Sequence, residues 1–235
     1  MITLLVTPAE LASGEVEVRG EAYKHLFRAR RLAAGAELRL VDGAGGARRG
    51  RVEAVGPRSA RVVAGKPAPT LDPPHRVVLL VAPPRPSRAS WLVEKATELG
   101  VAAIHWLAAE RTPRELGGGG LERLERVAAA ALEQSGGASL PRLSGPHDLG
   151  EVDALVADCD RRLLLAPGAA EADGGDWSGS GATALAVGPE GGWTDDELAR
   201  LAAAGFVARG LGDRVLRIET AAVTASALAI FRASR

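Results

Sequence analysis

Polar and apolar residues alternate over five short stretches near the start of the chain: Thr3 to Val6, Glu15 to Val18, Glu37 to Val41, Arg51 to Val55 and Ser59 to Val63. A repeat of two turns one face of each stretch inward, which predicts short strands of a small barrel or curled sheet. Ala22 to Leu32 reads as a short helical stretch. Asp42-Gly43-Ala44-Gly45-Gly46 has no helical pattern behind it and reads as a hairpin loop, with Arg48, Arg49 and Arg51 nearby.

The pattern changes after the extended, proline-rich run from Pro67 to Pro74. Apolar runs Val77 to Ala82, Ala103 to Leu107, Arg162 to Leu165, Thr183 to Val187 and Phe206 to Leu211 read as strands. Helical patterns cover Ser87 to Leu99, Leu121 to Gln134, Thr194 to Ala204 and Glu219 to about Arg232. Such alternation predicts an α/β domain with a mainly parallel sheet. The expected organisation is a β-rich domain at 1–70, a linker at 71–75 and the α/β domain at 76–235. Gly117 to Gly120 and Ala169 to Gly181 read as loose connections.

Two loops of the second domain are written with more constraint than turns require. Gly188-Pro189 ends an apolar strand, and Gly191-Gly192 allows close backbone approach. Thr194 with Glu197 then forms a capping box, with Asp195 and Asp196 at the positive end of the new helix. Glu190 is left over, with no capping position to fill. Leu211-Gly212 follows the next strand, and Arg214 and Arg217 alternate with Val215, Leu216 and Ile218 before the last helix. Both loops fall beyond the carboxyl ends of parallel strands, where such sheets bind ligands, and are expected to face one crevice.

Composition narrows the classes. The single cysteine, Cys159, excludes an internal disulfide and a cysteine-rich metal site, and four scattered histidines show no ligand spacing, so no metal is expected. No apolar run approaches the length of a membrane span, and no basic leader opens the chain; a cytoplasmic protein is expected. The net charge of zero hides an asymmetry: residues 1–70 hold 12 Lys and Arg against 7 Asp and Glu. Lys24, His25, Arg28, Arg30 and Arg31 crowd into one short stretch of that segment, which points to phosphate. A Rossmann nucleotide site is excluded, since no glycine fingerprint lies between a first strand and helix.

Taken in order, several groups of residues resemble the RsmE-type ribosomal RNA uridine-N3 methyltransferases of the SPOUT class. They are Lys95-Ala96-Thr97-Glu98-Leu99-Gly100-Val101, Glu133-Gln134-Ser135, Gly188 to Thr194 with Glu197, and Leu211-Gly212 through Arg214 and Arg217 to Glu219-Thr220-Ala221. His25-Leu26, Arg31-Leu32, Gly35 and Asp42-Gly43 match the family's opening domain. The resemblance spans nearly the whole chain. It implies a PUA-like RNA-binding domain followed by a SPOUT domain whose C-terminal part is threaded into a trefoil knot that holds S-adenosylmethionine. It also implies a homodimer acting on ribosomal RNA or the small ribosomal subunit.

Carried over, the cofactor pocket takes Leu164, Leu165, Gly188, Pro189, Glu190, Gly191, Gly192, Leu211, Gly212, Val215 and Leu216, mostly through backbone contact. Arg217, or Arg214 beside it, is the candidate cation for charge developing on the uracil, and Glu190 is assigned to holding the loop. Arg85 and Arg88 stand where the family carries basic residues of the RNA-facing rim. The chain departs from the family at Gly137, where an arginine is usual, and at Trp193, where phenylalanine is usual. Glu94 and Glu98 around Lys95 read as helix-stabilising charges. Two alternatives stay open: a SPOUT methyltransferase for another RNA nucleotide, and a non-catalytic RNA-binding protein of the same fold.

Overall fold

The computed structural model describes residues 1–112, 119–169, 177 and 181–233, with only the backbone described at 232 and 233. Parts of both predicted loose connections, 117–118 and 170–180 apart from Trp177, lie outside the described residues. The chain divides into two compact units: Met1–Asp72 with Ala129–Leu140, and Pro73–Ala128 with Pro141–Arg235.

The first unit is a five-stranded sheet in the order β1-β3-β4-β5-β2, where β1 is Thr3–Leu5, β2 Glu15–Val18, β3 Glu37–Val41, β4 Ala47–Val55 and β5 Ala60–Pro67. β1 runs parallel to β3, and the other pairs are antiparallel. Alternate residues Val16, Val18, Leu38, Leu40, Val52 and Val62 turn inward to one core. Gly50 lets the sheet close over it, because a Cβ there would stand 2.9 Å from Leu40 Cγ.

Helix α1 (Pro8–Ser13) is absent from the predicted elements, although Thr7 and Glu10 form a reciprocal capping box that sequence spacing alone signals. The predicted helix over Ala22 to Leu32 is a short α2 (Gly20–Tyr23) continued by a π-helical turn at Lys24–Ala29. The wide turn, closed by the Arg30 amide on the His25 carbonyl, keeps Tyr23, Leu26 and Phe27 all buried. The Tyr23 and Phe27 rings stack at 5.4 Å, and the Tyr23 hydroxyl donates to the Gly56 carbonyl.

The second unit is a six-stranded sheet in the order β11-β9-β10-β6-β7-β8, with every pair parallel. Its strands are β6 (Val77–Val81), β7 (Ala103–Leu107), β8 (Arg142–His147), β9 (Arg161–Leu165), β10 (Thr183–Val187) and β11 (Val207–Arg209). β8 escapes sequence prediction because Ser144-Gly145-Pro146 breaks its apolar pattern, a break that an edge strand tolerates. The short helix α5 (Val152–Leu155) after it is likewise absent from the predicted elements. β11 is shorter than the predicted Phe206 to Leu211, since the chain leaves the sheet after Arg209.

Helices α3 (Pro86–Leu99), α4 (Gly120–Ser135), α6 (Asp195–Ala203) and α7 (Ile218–Ala233) match the helical periodicities closely. α7 packs on β6, β10 and α3, and its buried Ala222, Ala225 and Ala229 allow close approach. Lys95 donates to both Glu94 and Glu98 at 2.8 Å, a surface arrangement on α3. The last turns of α4 belong to the first unit, where Glu133 accepts the Leu5 amide at 2.8 Å.

Candidate cofactor site

The carboxyl ends of β9, β10 and β11 open into a cavity of about 380 Å³, within the range of small-molecule sites. Three segments wall it: residues 165–167 after β9, the glycine loop from Gly188 after β10, and the stretch Leu211 to Ile218 that runs into α7. These lie side by side because β10 is inserted between β9 and β6, with β11 on the far side of β9.

The glycine loop is held from several directions. Thr194 caps α6, its hydroxyl accepting the Glu197 amide, while Glu197 Oε2 accepts the Thr194 amide at 2.8 Å. The other Glu197 oxygen accepts the Glu110 amide at 2.8 Å, so one buried carboxylate ties the loop after β7 to the loop after β10. Arg111 donates to the Gly191 carbonyl at 3.1 Å. The Trp193 indole lies against Gly188, where a Cβ would stand 2.6 Å from Nε1, so only glycine fits without displacement. A capping box is legible in sequence; the second half of Glu197's work is not.

Of the residues expected at a cofactor site, Leu165, Gly188, Pro189, Glu190, Gly192, Leu211, Gly212, Val215 and Leu216 line the cavity. Arg214 and Arg217 do so as well. Leu164 points away into the hydrophobic core, as alternation along β9 requires, and Gly191 faces Arg111. The wall also includes Ala166 and Pro167 of the loop after β9, Trp193, Ile218 and Ala221 from the stretches that the sequence marked, and Arg209, which sequence reading did not single out. Arg209 ends β11, a position visible only once β11 is known to neighbour β9.

Arg217 stands at the start of α7, its carbonyl accepting the Ala221 amide at 2.9 Å. Its exposed guanidinium therefore adds to the positive end of a helix at the cavity wall. Arg88 is drawn to the same helix: it donates to Glu219, buried in the first turn of α7. Arg85, one turn earlier, is exposed. Lys24, His25, Arg28, Arg30 and Arg31 are all exposed on the short helical segment of the first unit, with Lys24 paired to Glu21 and Arg28 donating to the Pro57 carbonyl.

The family model for an RNA methyltransferase domain matches residues 72–230, and that for an RNA methyltransferase PUA domain matches residues 18–64. The Ribosomal RNA small subunit methyltransferase E of Synechocystis sp. is 31% identical, over 95% of this chain and 75% of its own. The chain belongs to this family of RNA methyltransferases. The Ribosomal RNA small subunit methyltransferase E of Mycobacterium bovis is 36% identical over 88% of this chain and 83% of its own. The fold is shared with the crystal structure of a Ribosomal RNA small subunit methyltransferase E from Neisseria gonorrhoeae bound to S-adenosyl methionine. That structure is 28% identical, has a TM-score of 0.84, and matches over 97% of this chain and 95% of its own. Within the family's frame, the first unit is the PUA-like β domain and the second the α/β methyltransferase domain.

Gly137, where the resemblance leads one to expect arginine, sits in a crowded turn. A Cβ there would lie 3.0 Å from Leu132 Cδ1 and 3.2 Å from Asp72 Oδ1, and the same Asp72 oxygen accepts the Ala138 amide at 2.7 Å. Among the described residues, no helix is long and apolar enough to cross a membrane.

Proposed function

We propose that this chain is an S-adenosylmethionine-dependent methyltransferase that modifies N3 of a uridine in 16S ribosomal RNA of the small subunit. The observation that carries the reading is the cavity beyond β9, β10 and β11, in a chain whose relatives along most of its length are small subunit methyltransferases E. The cavity fits the cofactor in chemistry: apolar side chains such as Leu165, Leu216 and Ile218 suit an adenine ring, and glycine-rich backbone offers amides and carbonyls. Glu190 supplies a negative charge for the cofactor's cationic groups, and the arginines suit its carboxylate. When bound there, S-adenosylmethionine supplies a methyl group activated by a positively charged sulfur.

The chain's own contribution is positioning and charge. Uracil N3 carries a proton that must leave before the nitrogen accepts a methyl group, and the negative charge left behind spreads onto the two carbonyl oxygens. Arg217, with Arg214 beside it, holds a cation where that charge develops, reinforced by the α7 terminus. The proton leaves to solvent or to a base. The ring is paired in a duplex, so the target base is presented out of its stack.

Lys24, His25, Arg28, Arg30 and Arg31 on the PUA-like unit, and Arg85 at the start of α3, are the proposed phosphate contacts. Arg88 acts in this scheme through Glu219, as a positioning residue. The insertion of β10 between earlier strands supports the trefoil-knot topology of the SPOUT class, and a cytoplasmic homodimer completes the reading. Incubation with labelled S-adenosylmethionine and unmodified small subunits, then mass spectrometry of the RNA, tests it. N3-methyluridine is the expected product. A methyl group on another nucleotide, or RNA binding without transfer, would replace the proposal with the corresponding alternative.

A further inference from the structure

One face of the first unit's sheet has a charge pattern that the fold leaves unbalanced. Leu38 and Leu40 of β3 turn into the core, so Glu37 and Arg39 turn outward. On β4 the core-facing residues are Gly50 and Val52, which turns Arg49 and Arg51 to the same outer face. The antiparallel register sets Glu37 opposite Arg51 but Arg39 opposite Arg49. Directly opposed like charges destabilise a strand pair.

Arg39 is only 4% exposed, and neither its Nε nor its Nη2 meets a hydrogen-bond partner among the described residues. A buried guanidinium without an acceptor is costly unless an anion comes to it. A cavity of about 560 Å³ on the same strand pair, with Arg39 outside its lining and Arg49 opposite Arg39 within it, is lined by Glu37, Arg49, Arg51 and Glu53, with Gly35 and Gly65 adding no side chain. Glu53 is already paired with Arg61 at 2.6 Å, which leaves Glu37 as the other carboxylate of the cavity's lining against Arg49 and Arg51.

We propose that this outer face, presented by Arg49 and Arg51 with the buried Arg39 opposite Arg49, is a further contact for the phosphate backbone of the RNA, separate in sequence from the basic helical segment. The proposal rests on reading the chain as an enzyme whose PUA-like unit meets RNA. Arg49 and Arg51 are exposed and two residues apart on one strand face, about 7 Å, a spacing suited to successive phosphates. Arg39 beneath them raises the local positive potential. The wall's apolar side chains are Val52, which is buried, and Val63, against four charged ones, which favours a polyanion over a protein surface as the occupant.

The test is equilibrium binding of a small-subunit ribosomal RNA fragment over a range of salt, for the unaltered protein, the double variant Arg49→Gln/Arg51→Gln, and Arg39→Gln. Thermal melting and S-adenosylmethionine affinity serve as controls for folding. Loss of two phosphate contacts is expected to weaken low-salt binding about tenfold and to flatten the log–log salt slope by about 1.5. An unchanged slope and affinity in the double variant, with the unaltered protein binding normally, overturns this site alone. An unaltered protein that does not bind the fragment overturns the RNA reading along with it. For Arg39, inorganic phosphate in place of chloride at matched ionic strength is expected to raise the melting temperature of the unaltered protein, and less so in Arg39→Gln. An equal rise in both removes Arg39 from the site.

Discussion

Arg88 on α3 donates to the carboxylate of Glu219 in the first turn of α7, and Glu219 is buried there at 6% exposure. The ion pair anchors the helix start that carries Arg217, Ile218 and Ala221 on the cavity wall. Removing one partner strands a charge away from water, whereas removing both does not. Because Arg88 is about one-third exposed, Arg88→Ala is expected to cost about 2 kcal/mol, and Arg88→Ala with Glu219→Gln less than the sum of the two. Urea unfolding of the four-protein cycle measures this; strictly additive losses would refute the anchoring role.

Arg217→Ala separates chemistry from binding. If the guanidinium stabilises charge on the uracil, kcat falls by about 100-fold or more, while calorimetric S-adenosylmethionine affinity stays within a few-fold. Normal transfer would remove Arg217 from the mechanism. Parallel loss of both would make it a structural residue of the cavity wall.

Gly188→Ala introduces a methyl group 2.6 Å from Trp193 Nε1. The loop must shift, at a cost of about 1–3 kcal/mol, and cofactor affinity is expected to fall with it. In a Trp193→Phe background, which lacks the Nε1 group, the same change should be milder in melting experiments. An equally severe effect in both backgrounds would mean that the clash is not with the indole.

Glu197→Ala removes the acceptor of both the Thr194 and Glu110 amides. An ordinary cap is worth about 1 kcal/mol, and an unsatisfied buried amide about 1–3 kcal/mol more. The expected loss is therefore about 2–4 kcal/mol, larger than for Thr194→Ala. Chemical denaturation of the two variants compares them directly; equal losses would limit Glu197 to capping.

His105 is buried between strands, its Nδ1 paired with the Ser144 hydroxyl at 2.7 Å. Burial first, then the nearby His147, Arg142 and Arg76, lower its pKa from 6.5 to about 4. In the window between those values the unfolded chain binds the additional proton, so stability rises with pH across it. The contribution is complete above about pH 6.5 and lost as the pH falls toward about 4. Burial lowers the pKa of His75 as well, in the same direction. Unfolding midpoints measured at mildly acidic and neutral pH should differ in the unaltered protein and differ less in His105→Gln. An identical pH dependence in the two would show that His105 does not contribute it.

What the chain determined by itself is mostly local. Period-two alternation placed the strands of the first unit, and continuous apolar runs placed β6, β7, β9 and β10, because those strands are buried on both faces. The Thr194 capping box and the glycines around Glu190 marked a loop-to-helix junction, the position of both loops beyond parallel strand ends joined it to the Leu211–Arg217 stretch, and family resemblance assigned the pair to the cofactor. β8 was not legible, since an edge strand tolerates the glycine and proline that erase its pattern.

Only the tertiary structure decided which neighbours meet. It set β11 beside β9 and so brought Arg209 to the cavity; it turned Leu164 inward and Leu165 outward; it set Arg39 directly across from Arg49. It also gave Glu197 and Glu219 partners 87 and 131 residues away. Periodicity reports which face of an element is buried, whereas cross-strand register and long-range ion pairs depend on how elements are ordered in the sheet, and that order is carried by no single stretch of sequence.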